Sequence, residues 1–503
     1  MSEGVATLPA PSAQIEAWST PTTQRLTKTT PFKHQAEIIE ETKDHVFFGL
    51  FMEQGTGKTH VTLATIQHLY NEGKIDGVLV LAPNGVHDNW ARNEIPLHSA
   101  LAWSPVAVWH SSDGVKKRNL WTWACRDTAE NPFVFLLANI EAVRTDEFMK
   151  SIVPFVKNRR FMLVIDESTI IKNPKAIQTK AVMKIAKLAA YRRILTGTPI
   201  TQSPLDLWSQ CRVLSESILP YPSYTAFKHE YAIEETMNLG TRTFQKILGY
   251  KNQSTLAALI APFTKRILKK DCLDLPDKVY ATRYVELTPE QKRIYKDLVK
   301  QCLATVGSGV ITVTSAITMM LRLHQVTLGY TTTDDGTIRP IDHNRIKVLM
   351  DLLEENTTKA IIFCRFLEDV DQVAQLLIEG DQSYDYVVYD GRVSGENREK
   401  NVNRFQNDIA CRYFIATSAA AKGLTLTAAE QVIYYSQGFS LETRLQSEDR
   451  AHRIGQKKTV TYTDLVAQGT IDDKVIEALK RKTELANSVL DAASLAKLIQ
   501  LEE

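Results

Sequence analysis

The sequence has no C-x-x-C pair. Its six cysteines, Cys125, Cys211, Cys272, Cys302, Cys364 and Cys411, are scattered along 503 residues. That excludes a disulfide framework or a zinc site of closely spaced thiols and predicts buried free thiols in a reducing compartment. No apolar run is long enough to cross a membrane as a helix, so no membrane partner is expected. The segment from Met1 to Thr30 is rich in Ser, Thr, Pro and Ala. It lacks the apolar centre of a signal peptide, so no export is expected and it reads as a flexible arm. Nor is there an excess of one charge: 60 Lys and Arg stand against 58 Asp and Glu, a net charge of +2. Bulk charge therefore does not announce nucleic acid, and any such surface must be a local patch. There is no repeat of solenoid period, no chromatin-reader module and no nuclease motif. What is present is ordinary globular composition, 44% hydrophobic and 23% charged.

Short apolar runs recur: Gly77 to Ala82, Phe133 to Ala138, Phe161 to Ile165 and Arg193 to Leu195. Each is followed by polar or turn residues, namely Pro83-Asn84-Gly85, Asn139, Asp166 to Thr169 and Thr196 to Pro199. Buried strands alternating with helix-like segments predict a parallel α/β sheet. In such sheets ligands bind beyond the carboxyl ends of the strands. The rhythm breaks over residues 205–270, which read as helical, with an aromatic, charged stretch from Tyr221 to Tyr250. Residues 289–328 also read as helical, interrupted near Gly307-Ser308-Gly309, and Asp334-Asp335-Gly336 marks a turn. Strands return at Ala360 to Cys364, Tyr386 to Tyr389, Tyr413 to Ala416, Val432 to Tyr435 and Val460 to Val466, a second α/β unit. The tail from Ile471 to Glu503 reads as helix packed back on the body. The tryptophans Trp90, Trp103, Trp109, Trp121, Trp123 and Trp208 are assigned to core rather than to base stacking.

The chemistry begins at Val46 to Thr59, where an apolar strand runs into Gly55-Thr56-Gly57-Lys58-Thr59 and then a helix-periodic segment. Gly55 and Gly57, with Thr56 between them, let backbone N–H groups turn around phosphate oxygens at a helix N-terminus. Lys58 would reach the β/γ-phosphates and Thr59 would place its hydroxyl on Mg²⁺. Met52 stands where the usual P-loop pattern has its first Gly. Leu163 to Glu167 is a strand ending in two carboxylates, with Asp166 placed for Mg²⁺ and Glu167 for the attacking water. Leu195 to Pro199 suits a linkage that senses the nucleotide. Arg450 and Arg453 are three apart and share one helical face, from which they would meet the γ-phosphate if the two units face each other. Between them, His452 would bridge the units. Gln35, after Phe32, carries the amide to read an adenine edge.

Together these residues resemble the SWI/SNF-type DNA translocases of helicase superfamily 2. The specific marks are Asp166 to Asn173 (DESTIIKN), Leu195 to Pro199 with Leu205 to Ser209 (LDLWS), Lys265 to Lys278, Leu287 to Tyr295, and Gln446 to Gln456 (QSEDRAHRIGQ). The D-E-S-T box stands nearer the fork-remodelling, annealing branch. Ser418 to Thr427 and Leu321 to Gln325 depart from the usual family segments. The resemblance covers residues 30–480. It implies two RecA-like parallel-sheet lobes with helical protrusions, α/β in class. The resulting division is an arm (1–30), lobe 1 (31–275, helical insertion about 210–260), a linker and helical protrusion (276–345), lobe 2 (346–470) and a C-terminal helical segment (471–503). It further implies ATP and Mg²⁺ between the lobes, with Gly423 also at the nucleotide. Double-stranded DNA would lie across Pro83, Asn84 and Asn139 of lobe 1 and Arg365, Arg392, Thr417, Ser418 and Lys422 of lobe 2. The expected activity is DNA-stimulated ATP hydrolysis driving movement along duplex DNA, in repair, recombination or replication. The alternative is a strand-separating or branch-migrating, annealing helicase. A nucleotide-dependent clamp is disfavoured because Lys58, Asp166, Glu167 and Arg453 are all present. A monomer is expected, in a bacterial or phage-infected cytoplasm, or in the nucleus of a eukaryote.

Overall fold

The computed structural model describes residues 26–110, 113–126, 132–239, 242–307, 313–333, 335–379, 385–421 and 424–500. Residues 1–25 of the arm, Ser308 and Gly309 of the helix interruption, Asp334, and both Lys422 and Gly423 lie outside them. Strands β1 (Phe47–Met52), β2 (Gly77–Ala82), β3 (Val106–Trp109), β4 (Val134–Asn139), β5 (Phe161–Asp166) and β6 (Tyr191–Leu195) follow the apolar runs, β3 being one that patterning missed. A separate antiparallel hairpin, β7 (Ala232–Leu239) and β8 (Arg242–Tyr250), comes next. β9 (Thr264–Ile267) then returns to pair with β1. The first sheet is parallel throughout, in the order β3-β4-β2-β5-β6-β1-β9.

Side-chain alternation explains why these strands are apolar on both faces. Leu79 and Leu81 of β2 enter one core with Leu163 and Ile165 of β5. Val78, Val80 and Ala82 enter the core on the opposite face with Met162 and Val164. Helices cover both faces, so a strand with polar residues on either side would bury them unpaired. Met52 sits in the second of these cores, fully buried, which is why the end of β1 carries a large apolar residue.

The second lobe contains β10 (Lys278–Val285), the small hairpin β11 (Tyr330–Thr332) with β12 (Ile338–Pro340), and β13 (Ala360–Phe363). β14 (Asp385–Tyr389), β15 (Cys411–Ala416), β16 (Gln431–Tyr434) and β17 (Val460–Ala467) complete it. Its parallel sheet runs β10-β17-β16-β13-β15-β14. The expectation of two parallel-sheet α/β lobes is met. Arg345, fully buried, holds this lobe to the start of the last helix. It bonds to Asp472 and donates to the carbonyls of Tyr435 (2.7 Å) and Leu465 (2.8 Å). Arg345→Met leaves Asp472 buried without its main cation and is expected to cost about 3–5 kcal/mol. The check is a urea titration, in which the midpoint falls at unchanged slope; an unmoved midpoint counts against it.

Four segments differ from the sequence reading, one being β9, a strand of the first sheet at the end of the stretch read as helical, whose polar Thr264, Lys265 and Arg266 give no apolar run. Residues 232–250 form a hairpin inside the stretch read as helical, because both strands are largely exposed and lack the apolar contrast that reveals a period of two. Helices Leu207–Leu214, Tyr224–Tyr231 and Gln253–Ile260 flank it. Part of the stretch read as linker is edge strand β10, whose Val279, Tyr280 and Tyr284 are exposed. Residues 26–30 of the arm are anchored: Thr27 bridges Ser99, and Thr29 Oγ1 bonds His98 (2.6 Å) and His60 (3.0 Å). Trp103 (58%) and Trp123 (37%) are exposed, against their assignment to core, whereas Trp90, Trp109, Trp121 and Trp208 are buried. Four thiols, Cys125, Cys211, Cys364 and Cys411, are buried and free, and Cys272 is half-buried; the Cys302 side chain is outside the described residues.

The C-terminal helix Ile471–Gln500 packs on both lobes. Val475 and Leu479 meet Leu441 of lobe 2, while Ala486, Val489 and Leu490 join the lobe 1 core. Arg266 donates to Asn487 (2.8 Å) and Lys482 to the Phe439 carbonyl (2.7 Å).

Candidate active site between the lobes

The C-terminal ends of β1, β5 and β6 converge because β6 lies between the other two. At β1, Gly55 (φ 82°) and Gly57 (φ 94°) take the left-handed conformation that turns the loop into the helix Lys58–Asn71. A Cβ on Gly57 would lie 2.1 Å from Gln35 Nε2, so the loop also requires glycine there for space. Gln35 donates to the Thr56 carbonyl (3.1 Å) and accepts from the Phe32 N–H (3.0 Å). Its amide therefore braces the P-loop from beneath. Thr56 is fully buried and bonds the Glu53 carbonyl (2.7 Å). Lys58 is folded back, donating to the carbonyls of Met52 (3.0 Å) and Glu53 (3.4 Å) at the strand end. Thr59 follows it in the first helical turn.

At the end of β5, Asp166 is almost fully buried. Its carboxylate accepts Trp90 Nε1–H (2.8 Å) and the Glu167 N–H (2.9 Å). Burial pushes the Asp166 carboxyl up, opposed by the Trp90 hydrogen bond and the Lys58 charge. A buried carboxylate of this kind fits a divalent cation, which would relieve its desolvation. Glu167 sits at φ 52°, a conformation rare for a residue with a side chain, and accepts from Gln54 Nε2 (3.3 Å). At the end of β6, a Cβ on Gly197 would lie 3.3 Å from Gln54 N and the Met52 carbonyl. A side chain there would push the Thr196 to Pro199 segment a few tenths of an ångström off the P-loop backbone.

Lobe 2 brings its helix Leu441–Ala451 against the same loop. Arg450 bonds Gln54 Oε1, while Arg453 and Arg450 both donate to the Leu424 carbonyl (3.0 and 2.9 Å). Gln54 thus links Arg450 to Glu167. A Cβ on Gly55 would lie 4.0 Å from both Arg453 Cβ and Lys269 Cε. Burial, and then the neighbouring Arg453 charge, lower the Arg450 pKa to about 10; burial also lowers that of Arg453. Buried like charges around a P-loop are relieved by a polyanion, which makes this arrangement fit a nucleotide triphosphate.

Two contributors escaped the sequence reading. Lys269 crosses to Asp449 (2.6 Å) and the His452 carbonyl (2.7 Å), while its own N–H meets Glu53 Oε2 (2.6 Å). Trp90, counted as core, also holds Asp166. Only the basic stretch Lys265 to Lys270 hinted at the first, and nothing local pointed to the second. The His452 ring reaches the start of the linker rather than lobe 1, its Nε2 lying 2.7 Å from the Pro276 carbonyl; only its backbone carbonyl meets lobe 1, through Lys269. Behind the loop, a cavity of about 220 Å³ opens between Gln54, Thr198, Asp449 and Leu490.

The residues assigned to DNA lie at strand ends, as the parallel topology requires. Asn84 follows β2, and Asn139 ends the adjacent β4; Asn84 is exposed, Pro83 buried. In lobe 2, Arg365, Thr417 with Ser418, and Arg392 follow the neighbouring strands β13, β15 and β14. Arg365 is partly engaged inward, on His324 Nδ1 (2.7 Å). Arg392 pairs with Asp371 (2.8 Å) and Asp390 (2.7 Å).

A family description, "SNF2-related domain", matches residues 45–328, and "Helicase conserved C-terminal domain" matches residues 344–455. The chain belongs to the SNF2 family. SNF2-family members of this kind are ATP-dependent helicases, enzymes that hydrolyse ATP. Among similar proteins, an uncharacterized ATP-dependent helicase of Mycoplasma genitalium is 26% identical over 471 residues, covering 91% of this chain and 42% of that protein. The TATA-binding protein-associated factor MOT1 of Saccharomyces cerevisiae is 30% identical over 382 residues, covering 65% of this chain and 20% of that protein. A putative ATP-dependent helicase/translocase of Bacillus subtilis is 25% identical, covering 88% and 46%. This SNF2-family chain spans less than half the length of each of these relatives. A solved structure described as the Sulfolobus solfataricus SWI2/SNF2 ATPase core in complex with dsDNA is 24% identical, with a TM-score of 0.41, over 94% of this chain and 96% of that one.

Proposed function

We propose that this chain is a DNA-stimulated ATPase that moves along double-stranded DNA and remodels DNA or DNA–protein complexes in repair, recombination or replication. The observation that carries the reading is the placement of Arg450 and Arg453, from lobe 2, against the P-loop and Glu167 of lobe 1 through Gln54. A site divided between two lobes ties bond cleavage to their relative motion.

In this reading Gly55, Thr56, Gly57 and Lys58 hold the phosphates, and Thr59 and Asp166 hold Mg²⁺. When bound, that ion neutralises charge on the β- and γ-phosphate oxygens. Glu167 orients the attacking water, Arg450 and Arg453 stabilise the charge of the transition state, and Gln35 reads an adenine edge. Asn84, Asn139, Arg365, Arg392, Thr417, Ser418 and Lys422, with the Pro83 turn, contact the sugar–phosphate backbone. Such contacts position a motor without reading sequence. Their support is that the described members of both groups lie on the carboxyl edges of adjacent strands.

The test measures ATP hydrolysis without nucleic acid and with single-stranded, duplex, forked and four-way DNA and RNA, across a salt series. Strong stimulation by plain duplex, falling steeply with salt, is expected, since phosphate-dominated binding releases counterions. Stimulation by forks or junctions alone supports the second reading, a strand-separating or annealing helicase. The exposed β7–β8 hairpin gives that reading a candidate wedge. Hydrolysis indifferent to every polymer removes DNA as the substrate.

A further inference from the structure

We propose that His87, Asp88 and His110 bind one divalent first-row transition ion of the zinc class. His87 and Asp88 lie on the short helix Val86–Asn89 after β2, and His110 follows β3. In the sheet β4 lies between these strands, so the three residues meet across its end. One ligand atom from each lies within 4.8 Å of the others. His87 Nε2 is 3.8 Å from Asp88 Oδ2, and His110 Nε2 is 3.2 Å from Asp88 Oδ1. Tetrahedral bonds of about 2.0–2.2 Å hold ligand atoms roughly 3.3–3.5 Å apart, so the two His–Asp separations already suit an ion and the third must draw in from within 4.8 Å.

His87 distinguishes this cluster from a simple His–Asp hydrogen bond. Its side chain has no solvent exposure, and its Nε2 has no hydrogen-bond partner. Its Nδ1 faces the Pro83 carbonyl at 3.3 Å. That carbonyl can only accept, so the proton sits on Nδ1 and Nε2 presents a lone pair to the Asp88 carboxylate. Two lone-pair atoms facing each other, the His87 one buried and the Asp88 one partly exposed, repel unless a cation stands between them. A backbone carbonyl behind the ring is also the usual outer partner of a metal-bound histidine. Two imidazoles and one carboxylate suit Zn²⁺, Co²⁺ or Ni²⁺ rather than Mg²⁺ or Ca²⁺, and leave a coordination position open. The ion would fasten the Pro83-Asn84-Gly85 turn to the end of β3. Trp90, two residues beyond Asp88, carries that anchorage to Asp166.

The test is a Co²⁺ titration of the chelator-stripped, nucleotide-free chain, followed by visible absorption. A tetrahedral d–d band saturating at a single equivalent and bleached by Zn²⁺ is expected. Six-coordinate Co²⁺ on oxygen ligands at the nucleotide site absorbs far more weakly. Asp88→Asn and His110→Ala, at partly exposed positions, are expected to remove the band while circular dichroism is unchanged. His68→Ala, at a histidine that pairs with Asp44, keeps it. No band in the parent chain, or a band that persists in either variant, overturns the site.

Discussion

Arg453→Ala is expected to lower ATP turnover by about 10³-fold or more, the range in which an arginine finger contributes. Arg453 comes from lobe 2, yet its Cβ lies within 4.0 Å of where a Cβ on Gly55 would be. It shares the Leu424 carbonyl with Arg450, so the two guanidiniums are held as a pair. Both are buried and both have lowered pKa values, with the Arg453 charge adding to burial at Arg450. Their electrostatic cost is present before nucleotide arrives and is relieved as phosphate charge builds up. The loss should therefore fall on turnover rather than on nucleotide affinity. Arg453→Lys keeps the charge but not the planar fork and should recover only a small part of the rate. Single-turnover hydrolysis with a separate nucleotide-binding titration makes the distinction. Unchanged turnover in Arg453→Ala removes lobe 2 from the chemistry.

Lys58→Ala is expected to abolish turnover and to weaken nucleotide binding as well. Lys58 Nζ is folded back onto the carbonyls of Met52 and Glu53 at the strand end, from which it would turn to the phosphates. Its substitution removes a cation from the phosphate cradle and one of the charges that oppose desolvation of Asp166. Glu167→Gln should separate the two effects: turnover lost, binding kept, because a neutral amide still fills the left-handed position beside Gln54. Retained DNA-stimulated hydrolysis in either variant would sink the assignment of this site. An equal loss of binding in both would show that Glu167 supports the loop rather than the attacking water.

Legibility in the sequence followed distance along the chain. The P-loop, the Asp166-Glu167 strand end, the Thr196 to Pro199 turn and the Gln446 to Gln456 box are each contiguous. Their spacing states which groups can meet one ligand, and the central strands of both sheets announce themselves as unbroken apolar runs. Patterning failed where one face of a segment is wet or where its partner is remote. β10 hides its periodicity behind exposed Val279, Tyr280 and Tyr284. The β7–β8 hairpin has too little apolar contrast to be told from helix.

From the chain alone came the class of fold, the order of its motifs and the residue types at the nucleotide. Those depend on local spacing and on the need to bury both faces of a parallel strand. The tertiary structure decided which of them touch. Gln54 joins Arg450 to Glu167, Lys269 crosses to Asp449, Trp90 holds Asp166, and His87 faces Asp88 and His110 across the end of β4. These contacts follow from strand order and from the seating of one lobe on the other. Both are set by the packing of surfaces far apart in sequence, which no local period records.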